Sequence, residues 1–242
     1  MEAIKIANLT KNYGAQTAVD SLSLSVLRGE LFGLLGLNGA GKTTTIKMLC
    51  GLTEPTSGDA FLNGHSIKRE ISAIKRIIAV SPQETAVAPN LSVKENLSLI
   101  AGLHGFSKAR EAEKVAELSE SLGLVDVLNK KAGKLSGGYA RRLSIAMALI
   151  SEPEILFLDE PTLGLDVLAR ADLWDIIRAL KGKITIILTT HYMEEAEALC
   201  DRIAIMKGGR LILTDTAANI KAATGTDSFE EAFIKVIKGE GK

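Results

Sequence analysis

The 242-residue chain has only two cysteines, Cys50 and Cys200, far apart, with no CxxC pair and no histidine at ligand spacing. That excludes a disulfide framework or a structural zinc site and suits two small side chains buried in a reducing compartment. Aromatics are scarce too, at one Trp, three Tyr and six Phe. So few rings argue against a base-stacking surface for single-stranded nucleic acid. Neither sign of charge is in excess, with 29 Lys plus Arg against 29 Asp plus Glu. Bulk electrostatics therefore draw the chain neither to nucleic acid nor to an anionic membrane, although a local basic groove stays open. No apolar run reaches the roughly 18 residues that span a bilayer; residues 145–150 are typical of the longest. Residues 1–14 are amphipathic and lack an apolar signal core, so the expectation is a chain that does not cross a membrane.

What is present is the balance of a folded globular domain, 46% hydrophobic and 24% charged. The length suits one large domain, or one domain with an inserted subdomain. Leu22, Leu24 and Val26 alternate with Ser21, Ser23 and Ser25, the pattern of an antiparallel strand with one solvated face. A short apolar run over 30–36 reads as a strand buried on both faces, and 42–50 as the helix that follows it. Further strands are expected over 57–62 and 77–80. From 92 to 151 the pattern turns helical. Val93, Leu97, Ile100 and Ala101 recur at helical spacing, and 108–121 predicts a solvated amphipathic helix with Ala109, Ala112, Val115, Ala116 and Leu118 on its apolar side. Beyond that, strands over 155–158, 184–188, 202–206 and 210–213 alternate with helices over 168–180 and 193–199. Such alternation predicts an α/β fold with a mostly parallel sheet, and 228–238 reads as a last amphipathic helix.

Three segments carry chemistry. Residues 36–43, Gly-Leu-Asn-Gly-Ala-Gly-Lys-Thr, match G-x-x-x-x-G-K-[ST] between an expected strand and an expected helix. Glycines let such a loop wrap an anion in backbone amides, Lys42 can reach β- and γ-phosphates, and the Thr43 hydroxyl can ligate magnesium. The apolar strand over 155–158 ends in Asp159 and Glu160. Beside a phosphate loop, Asp159 suits magnesium and Glu160 can accept a proton from an attacking water; alone, the pair would be a common turn signal. Leu135-Ser136-Gly137-Gly138-Tyr139 precedes a helix expected over 140–150, with Ser136 as its N-cap, and offers a second anion site or an ordinary helix start.

In this order, together with Gln83 after a strand, Gly164-Leu165-Asp166, and His191 after another strand, the segments resemble the ATP-binding subunit of an ATP-binding cassette (ABC) transporter over nearly the whole chain. The resemblance implies a P-loop NTPase core over 1–83 and 152–242, with an N-terminal antiparallel β subdomain. It further implies a helical subdomain inserted over 84–151 that carries the signature segment. It implies ATP and Mg2+ as cofactors. Asn38, Gly39, Ala40, Gly41, Lys42, Thr43 and Thr44 would hold phosphates, and Tyr13 would stack on adenine, unless it simply packs on its neighbours. Thr43, Gln83 and Asp159 would hold the metal; Glu160 would be the general base, with Gln83, His191 and Lys42 completing the catalytic set. Ser136, Gly137 and Gly138 would contact nucleotide held by a second copy, and Asp166 would lie at that interface. Taken singly, His191 would be an exposed loop histidine, as His65 and His104 are read, and Gln83 an ordinary strand-end residue.

Two departures stand out. Tyr139 replaces the glutamine common in that signature, at helix position N3, where glutamine could bond back to the cap. Val167 replaces a proline and removes no catalytic group. The expected protein is a cytoplasmic ATPase subunit, peripheral on the inner face of the membrane, working as a head-to-tail dimer with itself or a close relative. It would drive a separate transmembrane permease of the exporter branch (drugs, lipids, polysaccharides or ions), with no nucleic acid as partner. A soluble ABC ATPase acting on nucleic acid or ribosomes is the rival reading, and a nucleotide-binding regulator without turnover is disfavoured by Glu160.

Overall fold

In the computed structural model, which describes residues 1–239, two sheets meet around the phosphate loop. The smaller is antiparallel, in the order β2-β1-β4-β5, with β1 at Glu2–Tyr13, β2 at Gln16–Leu27, β4 at Ser57–Leu62 and the two-residue β5 at His65–Ser66. The serine alternation on β2 does set its solvated side: Val19, Leu22 and Val26 are buried, while Ser21 and Ser23 face water.

The larger sheet has the order β10-β9-β3-β8-β7-β6. Its members are β3 (Leu31–Gly36), β6 (Ile78–Ser81), β7 (Ile155–Asp159), β8 (Thr185–Thr190), β9 (Arg202–Lys207) and β10 (Arg210–Asp215). Five strands run parallel and β10 closes one edge antiparallel to β9. Every residue of β3, β7 and β8 is buried, because helices cover both faces of the sheet. Register brings the carboxyl ends of these three strands level, with Leu35 opposite Thr190 and Asp159 opposite Thr189. Loops leaving the carboxyl ends of parallel strands are where an open α/β sheet binds ligands, so chain order and register together decide what meets there.

Between β6 and β7 lie α3 (Val93–Leu103), α4 (Lys108–Ser121) and α5 (Gly137–Leu149), with no strand longer than an isolated bridge among the described residues. Ser92 caps α3 in a reciprocal box with Glu95. Leu97, Leu143 and Ile145 of this helical stretch pack with Leu156, Leu158 and Leu188 of the sheet. On the opposite face Phe32 and Phe157 join Leu9, Leu22 and Met48. At the β9 edge, Leu35, Ile203 and Ile205 pack against Phe229 and Phe233 of the last helix, α9 (Phe229–Lys238). The remaining helices are α1 (Lys42–Leu49), α2 (Ile71–Ile77), α6 (Val167–Leu180), α7 (Met193–Leu199) and α8 (Ala217–Thr224). Residues 240–242, the end of the expected core range, lie outside the described residues.

Several expectations need correction. The buried side of α4 is Val115, Leu118 and Ser119, while Ala109, Ala112 and Ala116 face solvent. The packed face of the helix is the one through Val115, Leu118 and Ser119, and the alanines lie to one side of it. α5 starts at Gly137, three residues before the expected 140, because both glycines adopt helical backbone in its first turn. β8 runs two residues past Leu188, since the hydroxyls of Thr189 and Thr190 find partners inside the fold. His65 belongs to β5, where its ring nitrogen lies 2.9 Å from Glu70, instead of standing free in a loop. Cys50 is buried as expected, but Cys200 is only partly so. α2, α8 and β5 were not foreseen, being too short to show a period.

Candidate functional site at the carboxyl ends of β3, β7 and β8

The loop between β3 and α1 is shaped by glycines. At Gly41 φ is +100°, and a Cβ there would stand 2.6 Å from the Ala18 carbonyl oxygen, so only glycine fits. α1 opens directly after it, and its free backbone amides face the loop. Lys42 is 5% exposed; its Nζ donates to the Gly36 carbonyl at 2.7 Å and lies 3.6 Å from Glu160 Oε1. Burial lowers its pKa from the ordinary lysine value, and the Glu160 and Asp159 carboxylates act against that shift.

The two carboxylates that end β7 do different things. Asp159 accepts hydrogen bonds from Thr189 Oγ1 and, at 3.3 Å, from Thr43 Oγ1. Glu160 turns out of the strand at φ +47°, a left-handed conformation that costs a residue with a side chain about 1–3 kcal/mol. Its amide donates to the Thr189 hydroxyl and carbonyl, both at 3.1 Å, which holds the turn. The side chain then points between two nitrogen groups, with Oε2 3.1 Å from His191 Nδ1 and Oε1 3.6 Å from the Lys42 ammonium.

Lys42, Glu160 and His191 line one cleft of about 740 Å³ together with Tyr13, Gln16, Thr17, Ala18, Asn38, Gly39, Ala40, Gly41, Thr43, Thr44, Gln83, Leu163 and Gly208; Asp159, expected to hold the metal, is buried and does not line it, but meets it through Thr43. Tyr13 stands at the rim, half exposed, with Lys11 Nζ 5.0 Å from its ring centroid. The cleft therefore gathers every expected phosphate, base and catalytic residue of a single copy. Ser136, Gly137 and Gly138 do not line it. They begin α5 beside the turn before α6 and its first residues: a Cβ on Gly137 would lie 3.5 Å from Leu165 Cδ2 and one on Gly138 3.1 Å from Ala169 Cβ. Ser136 occupies the N-cap position, but its hydroxyl makes no capping bond.

Two residues that matter to the geometry carry no signal in the sequence. Arg141, buried on α5, donates to the Pro82 carbonyl at 2.6 Å and also to the Gln83 carbonyl, pinning the backbone that presents Gln83. Thr189 holds both Asp159 and the Glu160 amide, yet a threonine ending a strand looks like any other β-branched residue.

Thr43, Asp159 and Gln83 offer oxygen donors of the kind a hard cation prefers, and Thr43 and Asp159 already touch. Among the described residues there is no group of three or more His, Cys, Asp or Glu that could cage a metal unaided.

A family model described as ABC transporter matches residues 19–163. The Escherichia coli protein YbhF, described as a probable multidrug ABC transporter ATP-binding protein, is 40% identical over 97% of this chain, which spans 41% of that protein's length. The daunorubicin resistance ATP-binding protein DrrA3 of Streptomyces coeruleorubidus is 43% identical over 94% of this chain and 72% of its own. Among solved structures, a dimeric ATP-binding cassette in a post-hydrolysis state with ADP and Pi superposes with a TM-score of 0.80 at 25% identity, covering 88% of this chain and 98% of that one. With the phosphate loop, Glu160 and His191 lining one cleft and Asp159 bonded to Thr43 beside it, the chain belongs to the ABC transporter family, among its ATP-binding proteins.

Proposed function

We propose that the chain is an ATP-hydrolysing subunit that works as a head-to-tail dimer and powers export through a separate membrane permease. The observation that carries this is Glu160, set between Lys42 and His191 at the mouth of a phosphate loop. A carboxylate there can take the proton of a water attacking the γ-phosphate in line, while Lys42 and His191 offset the charge that develops. Thr43, Asp159 and Gln83 would hold Mg2+, which when bound supplies Lewis-acid polarisation of the phosphate oxygens. Tyr13 would bear the adenine at the rim.

The dimer follows from what one copy lacks. Its signature residues 136–138 lie away from its own cleft, and by the family resemblance they would contact the nucleotide held by the facing copy. Val167 and Leu168 are 77% and 78% exposed at the start of α6, next to Asp166, and would be covered in that arrangement. The helical stretch over 84–151, read as a subdomain, would carry the permease contact, placing the protein on the cytoplasmic face of the membrane. No helix among the described residues is long and apolar enough to cross a membrane. Export rather than import is supported by relatives named for multidrug transport and daunorubicin resistance. Neutral net charge disfavours action on nucleic acid.

The test is co-purification from membranes with Glu160→Gln present to hold ATP, followed by ATPase assay of the wild-type complex. Recovery of a polytopic membrane protein and of ATP turnover supports the proposal. Recovery of ribosomes or nucleic acid in its place would overturn it.

A further inference from the structure

Glu195, in the first turn of α7, is fully buried. A carboxyl taken out of water is costly unless its oxygens are satisfied, and a leucine or methionine would fill the same volume without that cost. Its Oε1 accepts from Trp174 Nε1 of α6 at 3.3 Å. Oε2 has no partner at hydrogen-bonding distance among the described residues, nor has the buried hydroxyl of Thr162. Burial raises the pKa of this carboxyl; Thr190, Thr162 and Trp174 act against that, as does Arg170 at longer range. The bond to Trp174 is thus the hydrogen bond that ties this buried carboxyl to α6 among the described residues.

The position matters because of what lies on either side. Four residues earlier stands His191, in contact with Glu160. Between them the Thr190 hydroxyl accepts from the Tyr192 amide at 2.9 Å, which ties the backbone on either side of His191. Thr162 belongs to the turn that follows Glu160 and leads to Asp166, the cap of α6. A second tie runs in parallel: the Arg170 guanidinium of α6 sits 5.0 Å from the Tyr192 ring centroid, and that ring is 4.1 Å from His191. α7 has only seven residues, so little within the helix itself fixes how it is rotated.

We infer that Glu195 is a positioning residue for hydrolysis, which locks α7 to α6 through Trp174 and thereby holds His191 against Glu160. The inference rests on the reading of the cleft as an ATPase site. Because Asp166 and the exposed start of α6 are where a second copy would press, the same tie would let dimer closure reach His191.

The test uses the full-length protein and the fact that Trp174 is the single tryptophan of the chain. Glu195→Ala should lower kcat about tenfold or more, with KM and the Kd for ATP within about twofold of wild type, since small misplacements of a reacting group cost up to ~100-fold. Glu195→Gln keeps an acceptor for Trp174 and a donor for the threonines, and should restore kcat to within about threefold. Trp174→Phe keeps an aromatic six-membered ring in that packing and loses the N–H together with the indole's five-membered ring, so it should lower kcat alone, and it decides the matter if Glu195→Ala does not fold. In wild type, addition of ATP and Mg2+ should shift Trp174 emission, and Glu195→Gln should keep that shift.

Three outcomes would overturn the inference. They are wild-type kcat in both Glu195→Ala and Trp174→Phe, failure of Glu195→Gln to rescue, or losses that appear in ATP affinity in place of kcat. If wild type itself neither binds nor hydrolyses ATP, it is the ATPase reading that fails.

Discussion

Glu160 Oε2 lies 3.1 Å from His191 Nδ1, across the gap between the ends of neighbouring strands β7 and β8. The contact exists because the turn after Asp159 enters left-handed backbone at Glu160, which swings its carboxylate toward β8. Nothing in the spacing of residues 160 and 191 announces it. Asp159 keeps to the strand direction and meets Thr43, so two adjacent acids face two different groups.

Replacing Glu160 by Gln preserves shape and removes the proton acceptor. ATP should still bind, with turnover reduced at least ~100-fold, the lower range of what a general base contributes. Sedimentation with ATP and magnesium should then show a persistent dimer. Turnover at the wild-type rate would remove Glu160 from the role of base.

Sites shared between copies make activity depend on association. Specific activity should fall on dilution into the nanomolar range, and a mixture of Lys42→Ala with Ser136→Ala should recover activity that neither variant has alone. Absence of any recovery in the mixture counts against composite sites.

Gly41→Ala places a Cβ 2.6 Å from the Ala18 oxygen at φ +100°. The expected cost is about 1–3 kcal/mol of stability, with a distorted phosphate loop. Thermal unfolding and ATP titration together check this; unchanged affinity would mean that the loop relaxes without consequence.

Tyr139 sits with its ring centroid 5.3 Å from the Arg142 guanidinium, and Arg142 pairs with Asp172 of α6 at 2.6 Å. Tyr139→Gln exchanges that cation–π contact, about 0.5–1 kcal/mol, for a possible reciprocal cap of similar size. Monomer stability should therefore change by less than about 1 kcal/mol and ATP affinity of the isolated copy not at all. A large drop in either would assign Tyr139 a role its surroundings do not suggest.

Glu195 has a folded pKa raised above its unfolded value, mainly by burial, with Arg170 of α6 and Arg141 of α5 as the charged groups that feel it, along with Cys200. Over the interval from the unfolded pKa up to the raised one, the folded state binds more protons, so stability declines as pH rises. Below the unfolded pKa that advantage is fully present. Glu195→Gln should flatten this part of the stability-versus-pH curve in denaturant titrations; an unchanged slope would place its origin elsewhere.

Much of this protein is legible in one dimension wherever a single element carries the information. The glycines and Lys42 of the phosphate loop are contiguous because one turn must wrap one anion, and residues 155–158 and 203–206 are apolar throughout because strands covered on both faces have no solvent side. Short elements such as α2 and β5 escape because a few residues show no period. The alanines of α4 mislead because tertiary packing sets which face of the helix is buried, and that face takes Ser119 while leaving the alanines in water.

Tertiary structure alone decided the rest. Strand order sets β8 between β3 and β7, so Thr189 can serve Asp159 and Glu160 at once, and His191 can reach the carboxylate. Arg141 acquires its purpose only when α5 folds against the end of β6 and meets the Pro82 and Gln83 carbonyls. Ser136 stands as the helix start its local pattern indicates, yet its place outside the cleft follows from α5 packing beside α6. Contacts between residues far apart in the chain depend on register and layer packing, and these are settled by burial of the whole core instead of by any local run of residues.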